Sequence, residues 1–343
     1  MLKRITCIAL VIVLMLSLAA CGFSAQSDGA ADPAQNSSPA AAQDAASGDV
    51  TSNSGKIGID TPITCGITVK MNLEFFKTIT DRIESDLKEL NPDNRLVVYV
   101  SDQDVNKELS NVEDMIIQDM DVIFVTCMDV DGSQVALKKI KDAGKVGIVI
   151  DSGCNGMEEY TYGCIQSDNV QAGELAMEAL AQAIGGKGEI GVIENTLQGT
   201  DNDRGIGRDN VLDKYPDIKI VCRTNTVGLQ ENAMNAVNDF MQSNPEIVGI
   251  WCLGDYAAAG AIAALQQVGR EGEVFVVGID AADVGLDNIR AGYQLGTAAQ
   301  FPDRLGAAGV ERAIEVLNGG DQSFKSILVP TEWVDSGNID SYK

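Results

Sequence analysis

The sequence predicts an α/β protein of two doubly wound parallel-sheet lobes, and three observations predict it. Short β-branched runs alternate with segments of helical period, the runs are apolar on both faces, and the alternation pauses once and then restarts. Strands apolar on both faces and separated by helices mark parallel sheets covered on either side. The spacing of roughly 25 to 40 residues from run to run suits right-handed βαβ units.

In order, the strand-like runs lie at 56–59, 96–100, 122–126, 146–150, 189–193, 218–222, 247–253 and 274–279. Between them, Phe76, Ile79, Ile83, Leu87 and Leu90 form one apolar helical stripe, and Val105, Leu109, Val112 and Ile116 form another. The pause covers 151–167, and a helix capped within Ser167-Asp168-Asn169 restarts the pattern. Gly185-Gly186-Lys187-Gly188 lacks the Ser/Thr and the following helix of a phosphate loop, so it reads as a helix-to-strand turn. The end is irregular: a strand at 295–300, a helix at about 302–317 and a strand at 326–334.

Ahead of this body, residues 1–20 read as a signal peptide, with Lys3 and Arg4 before an apolar run at 8–18 that is too short to span a membrane. Leu18-Ala19-Ala20-Cys21 has the register of a bacterial lipobox, which makes Cys21 the lipidated mature N-terminus and the membrane the first partner. Residues 21–54 are rich in Ala, Ser, Gly, Asp, Asn and Gln with almost no large apolar side chain, and read as a flexible tether. The folded unit is expected from about Gly55.

Composition narrows function. The 343 residues carry 25 Lys+Arg against 50 Asp+Glu, a formal charge of −25 that becomes −27 once Lys3 and Arg4 leave with the signal. So acidic a chain gives nucleic-acid binding no electrostatic footing. The absence of His removes the usual general base and every His-containing zinc site, and no Cys-x-x-Cys pair or calcium-loop spacing offers a metal centre. No cofactor is expected. Of the six cysteines of the body, Cys127, Cys222 and Cys252 read as buried thiols at strand ends, while Cys154 and Cys164 are either a disulfide or two more thiols.

In doubly wound sheets ligands sit beyond the carboxyl ends of the strands. Those tips carry Asp151, Gly254-Asp255, Asp280 and Gln300, with Asn72, Phe75 and Phe76 after the first strand and Asp203-Arg204-Gly205 after the strand at 189–193. Carboxylates and Arg pair with adjacent hydroxyls, and rings pack on the apolar face of a sugar, so the set suits a polyol. Taken singly, each Asp is equally a helix cap, and Phe76 equally a core residue on its stripe.

With those motifs in place, the stretch from about Lys56 to Asp340 resembles the type I periplasmic sugar-binding proteins of the ribose-binding kind, the substrate-binding subunits of ABC importers. The likeness rests on Asn72-x-x-Phe75-Phe76, Asp151, Gln166-Ser167-Asp168-Asn169, Asp203-Arg204-Gly205-x-Gly207, Asn244-Pro245, Gly254-Asp255, Val277-Gly278-Ile279-Asp280 and Gln300-Phe301-Pro302-Asp303. The resemblance implies two lobes joined by a three-strand hinge, at 55–165 plus 301–328 and 166–300 plus 329–343. It implies ligand contacts from Phe76 and Asp151 in the first lobe, from Arg204 and Asp280 in the second, and from Gln300 at the hinge, with Asn72, Phe75 and Asp255 beside them. It further implies a monomer without enzymatic activity that hands a sugar or polyol to an ABC transporter permease. A binding protein that presents its occupied form to a membrane signalling receptor is the alternative, and a glycoside hydrolase would need turnover that nothing in the sequence positions.

Three departures bear on the ligand. Ser152 stands where ribose binders often carry Arg, Gly254 where they carry Asn, and the stacking ring of the second lobe aligns with Gly228. Tyr256, Tyr160 and Trp251 are the rings that could replace it, each equally explicable as packing. Three Asp against one Arg argue against an anionic ligand and leave a neutral polyol, a pentose or an amine-bearing ligand.

Overall fold

The computed structural model describes residues 61–195, 199–226 and 229–342. The signal peptide at 1–20, the lipidation site Cys21, the tether at 21–54, the run at 56–59 and Gly228 lie outside the described residues.

Two α/β lobes follow, each built on a largely parallel sheet. The first sheet has the order β2 (Arg95–Val100), β1 (Thr64–Val69), β3 (Val122–Val125), β4 (Val146–Ile150), β5 (Gly163–Ser167), β11 (Lys325–Val329). The second has the order β7 (Asp217–Asn225), β6 (Lys187–Glu194), β8 (Gly249–Cys252), β9 (Phe275–Asp280), β10 (Gly296–Ala299), β12 (Glu332–Asp335). Every pairing is parallel except β10 with β12. In both sheets the strand order reverses at the first strand of the lobe, at β1 between β2 and β3 and at β6 between β7 and β8. That reversal opens a crevice at the strand tips where connections leave in opposite directions.

Helices cover both faces. In the first lobe they are α1 (Glu74–Leu90), α2 (Val105–Ile117), α3 (Gln134–Asp142) and the short α4 (Met157–Tyr160). In the second they are α5 (Asn169–Ala183), α6 (Gly199–Leu212), α7 (Gln230–Ser243), α8 (Asp255–Gln267) and α9 (Asp283–Arg290). After β10 the chain returns to the first lobe as α10 (Pro302–Leu317), whose Leu305, Val310 and Ile314 join Ile67, Phe124 and Ile150 in one core cluster. The chain therefore passes between the sheets three times, at β5–α5, β10–α10 and β11–β12. Gln171 ties the first and last passages together, its Oε1 accepting from the N–H and the hydroxyl of Thr331 at 2.7 and 3.0 Å.

The predicted elements differ from the structure where polarity misleads. The stretch read as a pause contains β5, which carries Gly163, Gln166 and Ser167 yet lies between β4 and β11. The single strand predicted at 326–334 is two, in different sheets. Pro330 separates them, since a residue without an N–H cannot continue a ladder. On α2 the buried face carries Glu108, Asn111, Val112 and Met115 rather than the apolar stripe alone. Its two polar members reach neighbouring loops and strands: Glu108 Oε2 accepts from the Met128 N–H at 2.7 Å, and Asn111 Nδ2 donates to Thr68 Oγ1 at 3.1 Å. Asp168 caps α5 as predicted, accepting from the Gln171 N–H at 2.9 Å. Gly185 and Gly186 take the left-handed conformation of a helix-to-strand turn.

All six cysteines of the described residues are free thiols. Cys154 and Cys164 do not bridge; both are buried with Cys127, Met115 and Ile123 in an apolar cluster behind the first sheet. Burial pushes the Cys164 and Cys252 thiols well above their usual range, so they pack as small apolar groups.

Candidate functional site between the strand tips

The centre of the candidate site is Arg204, on the first turns of α6. Two glycines put it there: a Cβ on Gly173 would lie 2.0 Å from the Arg204 carbonyl oxygen, and one on Gly207 would lie 2.0 Å from the Val170 carbonyl oxygen. Only this close packing of α5 on α6 brings the guanidinium under the strand tips of the second sheet, and it explains Arg204-Gly205-x-Gly207. The buried guanidinium is held on three sides. Nε donates to Asn169 Oδ1 at 2.9 Å, Nη1 donates to the Leu253 carbonyl at the tip of β8 at 2.7 Å, and Nη2 lies 3.0 Å from Asp280 Oδ1 at the tip of β9. A guanidinium has five N–H donors, so each Nη keeps one for a further partner.

Gln300 joins the same cluster. Its Nε2 donates to Asn169 Oδ1 at 3.2 Å, so one amide oxygen couples the second-lobe arginine to the chain passage after β10. Asn169, read from the sequence as part of a cap, is thus a hub of the site. The signal for it was its place beside the passage, not its residue type.

Asp151 and Asp280 end β4 and β9 with positive φ, at 70° and 111°, and Ala281 follows at 54°. Non-glycine residues rarely adopt such backbone, and it concentrates where a fold aims a side chain. Burial raises both carboxyls. For Asp280 the result is about 6, with Arg204 pulling down and Asp151 and Asp201 pushing up. Asp151 stays above the usual range although Lys70 and Arg204 pull it down. Burial acts against the charge of Arg204, but Asp280, Asp201 and Asp151 outweigh it and raise its pKa further.

Asp255 has a different job from the one expected. It is fully buried, Oδ1 accepts from Gln294 Nε2 at 2.8 Å, and Oδ2 accepts from Thr297 Oγ1 at 3.0 Å and the Ala282 N–H at 2.9 Å. Desolvation, then the charge of Asp280, pushes its carboxyl up to about 8. Asp255 buttresses the loop that carries Asp280, and its own donors take the places a ligand would need.

The first-lobe aromatics also separate. Phe76 is core, packed with Ile79 and Ile83, while Phe75 is half-buried and meets it edge to face at 5.4 Å. Asn72 is exposed on the turn before α1. Of the three candidate replacement rings, Trp251 is buried in the second-lobe core beneath the Arg208 guanidinium at 5.1 Å, Tyr160 lies against Lys141, and Tyr256 is exposed on α8.

Between the strand tips of the two sheets lies a cavity of about 230 Å³. Lys70, Cys127, Met128, Ser152 and Gly153 wall it from the first lobe, and Asn195, Thr200, Asp201 and Asn225 from the second. The first-lobe wall lies at the β1/β3 crevice that the strand order opens, and the second-lobe wall at the ends of β6 and β7 and the start of α6. Lys70 and Asn195 each follow directly on a strand, so the strand-tip rule identifies them, yet an unremarkable Lys and Asn lack the motif that drew attention to Arg204. Lys70 also supplies the cation that Ser152 does not, so the site holds Lys70 and Arg204 against Asp151, Asp201 and Asp280. Ser152 turns inward, its hydroxyl donating to the Cys127 carbonyl at 3.2 Å.

Residues 67–321 match the periplasmic binding protein domain family. A xylitol-binding protein of Mycolicibacterium smegmatis is 33% identical over 239 residues, covering 68% of this chain and 67% of its own length. A ribose import binding protein of Escherichia coli is 27% identical over 73% of this chain and 82% of its own. The crystal structure of an ABC transporter periplasmic solute-binding protein from Actinobacillus succinogenes with bound D-allose superposes with a TM-score of 0.76 at 27% identity, covering 82% of this chain and all of that one. The chain belongs to the periplasmic binding protein family, among the non-catalytic sugar- and polyol-binding proteins of ABC transporters.

Proposed function

We propose that the protein is a lipid-anchored extracytoplasmic binding protein that captures a neutral sugar or polyol between its lobes and delivers it to an ABC importer. The observation that carries this reading is the cavity of about 230 Å³, walled by amides, hydroxyls and charges of both signs from the strand tips of both sheets. The cavity is smaller than the ~300–1,000 Å³ usual for drug-sized ligands and adjoins the Arg204 cluster, which suits a small ring or chain seated across the two. With Lys70 counted, the acids exceed the cations by one and Asp255 faces away, which weakens the case for an amine-bearing ligand and favours a neutral one. The relatives named for xylitol, ribose and allose bind ligands of this class.

Ligand contacts come from Arg204, Asp280 and Gln300 on one side and Asp151 and Phe75 on the other, and hinge closure over the three chain passages brings them together. The lobes divide at 55–165 plus 301–328 and 166–300 plus 329–343, the protein acts as a monomer, and lipid on Cys21 holds it beside its permease. The test is the melting temperature of the full chain with xylitol, D-ribose and D-allose. A ligand at a hundred times its Kd adds about 2.7 kcal/mol, a rise of roughly 5–10 °C. If none of the three moves the transition, the sugar assignment is lost.

A further inference from the structure

We propose that Lys70 and Asn195 form an outer subsite of the cleft that selects a ligand ending in a hydroxyl there over one ending in a carboxylate or an amine. The inference rests on the proposed function and adds to it. The cavity adjoins the Arg204 cluster without coinciding with it, since none of Arg204, Asp151, Asp280 and Gln300 lines it. A ligand seated on that cluster can extend into this cavity, toward Lys70 and Asn195.

Both residues line this space, and each has hydrogen-bonding capacity to spare. Among the described residues no carboxylate lies within ion-pair distance of the Lys70 ammonium. Asn195 Nδ2 donates to Asp201 Oδ2 at 3.1 Å, which fixes the orientation of the amide and leaves Oδ1 buried with no donor among the described residues. A buried acceptor without a partner is costly, and a ligand group that donates to it relieves that cost.

The two capacities together define the fragment. Lys70 offers only donors and Asn195 Oδ1 only accepts. A polyhydroxy end does both, its hydroxyls accepting from the ammonium and donating to the amide oxygen. A carboxylate satisfies Lys70 but turns lone pairs on Asn195 Oδ1 and meets the charge of Asp201. An ammonium satisfies Asn195 and Asp201 but is repelled by Lys70. The subsite therefore reads a neutral, hydroxyl-bearing end.

The experiment is calorimetric titration of the full chain, wild type and the variants Lys70→Met, Lys70→Arg, Asn195→Leu and Arg204→Lys, with xylitol, D-ribose, D-allose and xylonate. The expected result is that Lys70→Met and Asn195→Leu each weaken the best-bound sugar about tenfold or more, which is about 1.4 kcal/mol. Lys70→Arg keeps most of the affinity, the unliganded melting temperature of Lys70→Met is unchanged, and xylonate binds at least tenfold more weakly than xylitol. Wild-type affinity in both Lys70→Met and Asn195→Leu, with Arg204→Lys inactive, overturns the subsite and leaves the proposed function standing. Tighter binding of xylonate than xylitol also overturns it. Failure of all three sugars on the wild type overturns the function itself.

Discussion

Replacing Arg204 with Lys is expected to remove nearly all ligand binding while the protein still folds, and replacing it with Ala to cost stability as well. The lysine keeps a positive charge opposite Asp280, but it cannot reach Asn169 Oδ1, the Leu253 carbonyl and Asp280 at once. The planar fork that leaves one N–H on each Nη for a ligand is lost, and affinity falls by two or more charge-assisted hydrogen bonds, roughly 3–6 kcal/mol or more than a hundredfold. Arg204→Ala goes further. It leaves Asp280 without its cation, Asn169 Oδ1 with a single donor and the Leu253 carbonyl with none from Arg204, and breaking a buried pair from one side costs about 3–5 kcal/mol. The burial of the guanidinium makes Arg204 a structural residue as well as a proposed ligand contact. Titration calorimetry and thermal unfolding of both variants check the pair, and wild-type affinity in Arg204→Lys would place the ligand elsewhere.

Stability is expected to fall as pH rises from about 5 to 8, opposite to the usual acid-side loss. The chain has no His, so buried carboxyls dominate side-chain titration in that window. Asp255 sits at about 8 and Asp280 at about 6 when folded, both raised first by burial. Unfolded, each returns to about 3.9. Between those values the folded protein holds protons that the unfolded chain releases, so raising the pH favours unfolding until each folded value is passed. The destabilisation from Asp280 is complete near pH 6–7, and that from Asp255 continues to about pH 8. Thermal unfolding without ligand should show a Tm lower at pH 8 than at pH 5.5 by several degrees, on the order of 5 °C for a loss of about 2 kcal/mol. Asp255→Asn, neutral at every pH, should flatten the part of the slope above pH 6.5. A Tm that rises steadily across this range would mean that Asp255 is ionised and stabilising.

Much of this fold was legible in the sequence, because buried parallel strands must be apolar on both faces and helices must repeat their apolar stripe. Val146–Ile150 and Pro302–Leu317 stand where those rules put them. What was not legible depends on neighbours far along the chain. Gly163–Ser167 looks like a turn, and becomes a strand because β4 and β11 flank it. The site divides in the same way. Asp151, Arg204, Asp280 and Gln300 follow from being polar at strand tips and passages. Asp255 has the same local signature but lies one residue into α8, where Gln294 and Thr297 enclose it. Asn169 and Asn195 matter because of what their amides hold, which the packing of α5 on α6 reveals for the first and the approach of α6 to the end of β6 for the second.

One small neutral polyhydroxy ligand is expected to be held between the two lobes. A crystal structure of the full chain grown with the tightest of xylitol, D-ribose and D-allose tests it most directly. One ligand molecule is expected between the strand tips, its hydroxyls on Arg204 and Asp280 from the second lobe and on Asp151 from the first, with one end at Lys70 and Asn195. A ligand bound to a single lobe, or outside the cleft with the Arg204–Asp280 cluster untouched, would contradict it.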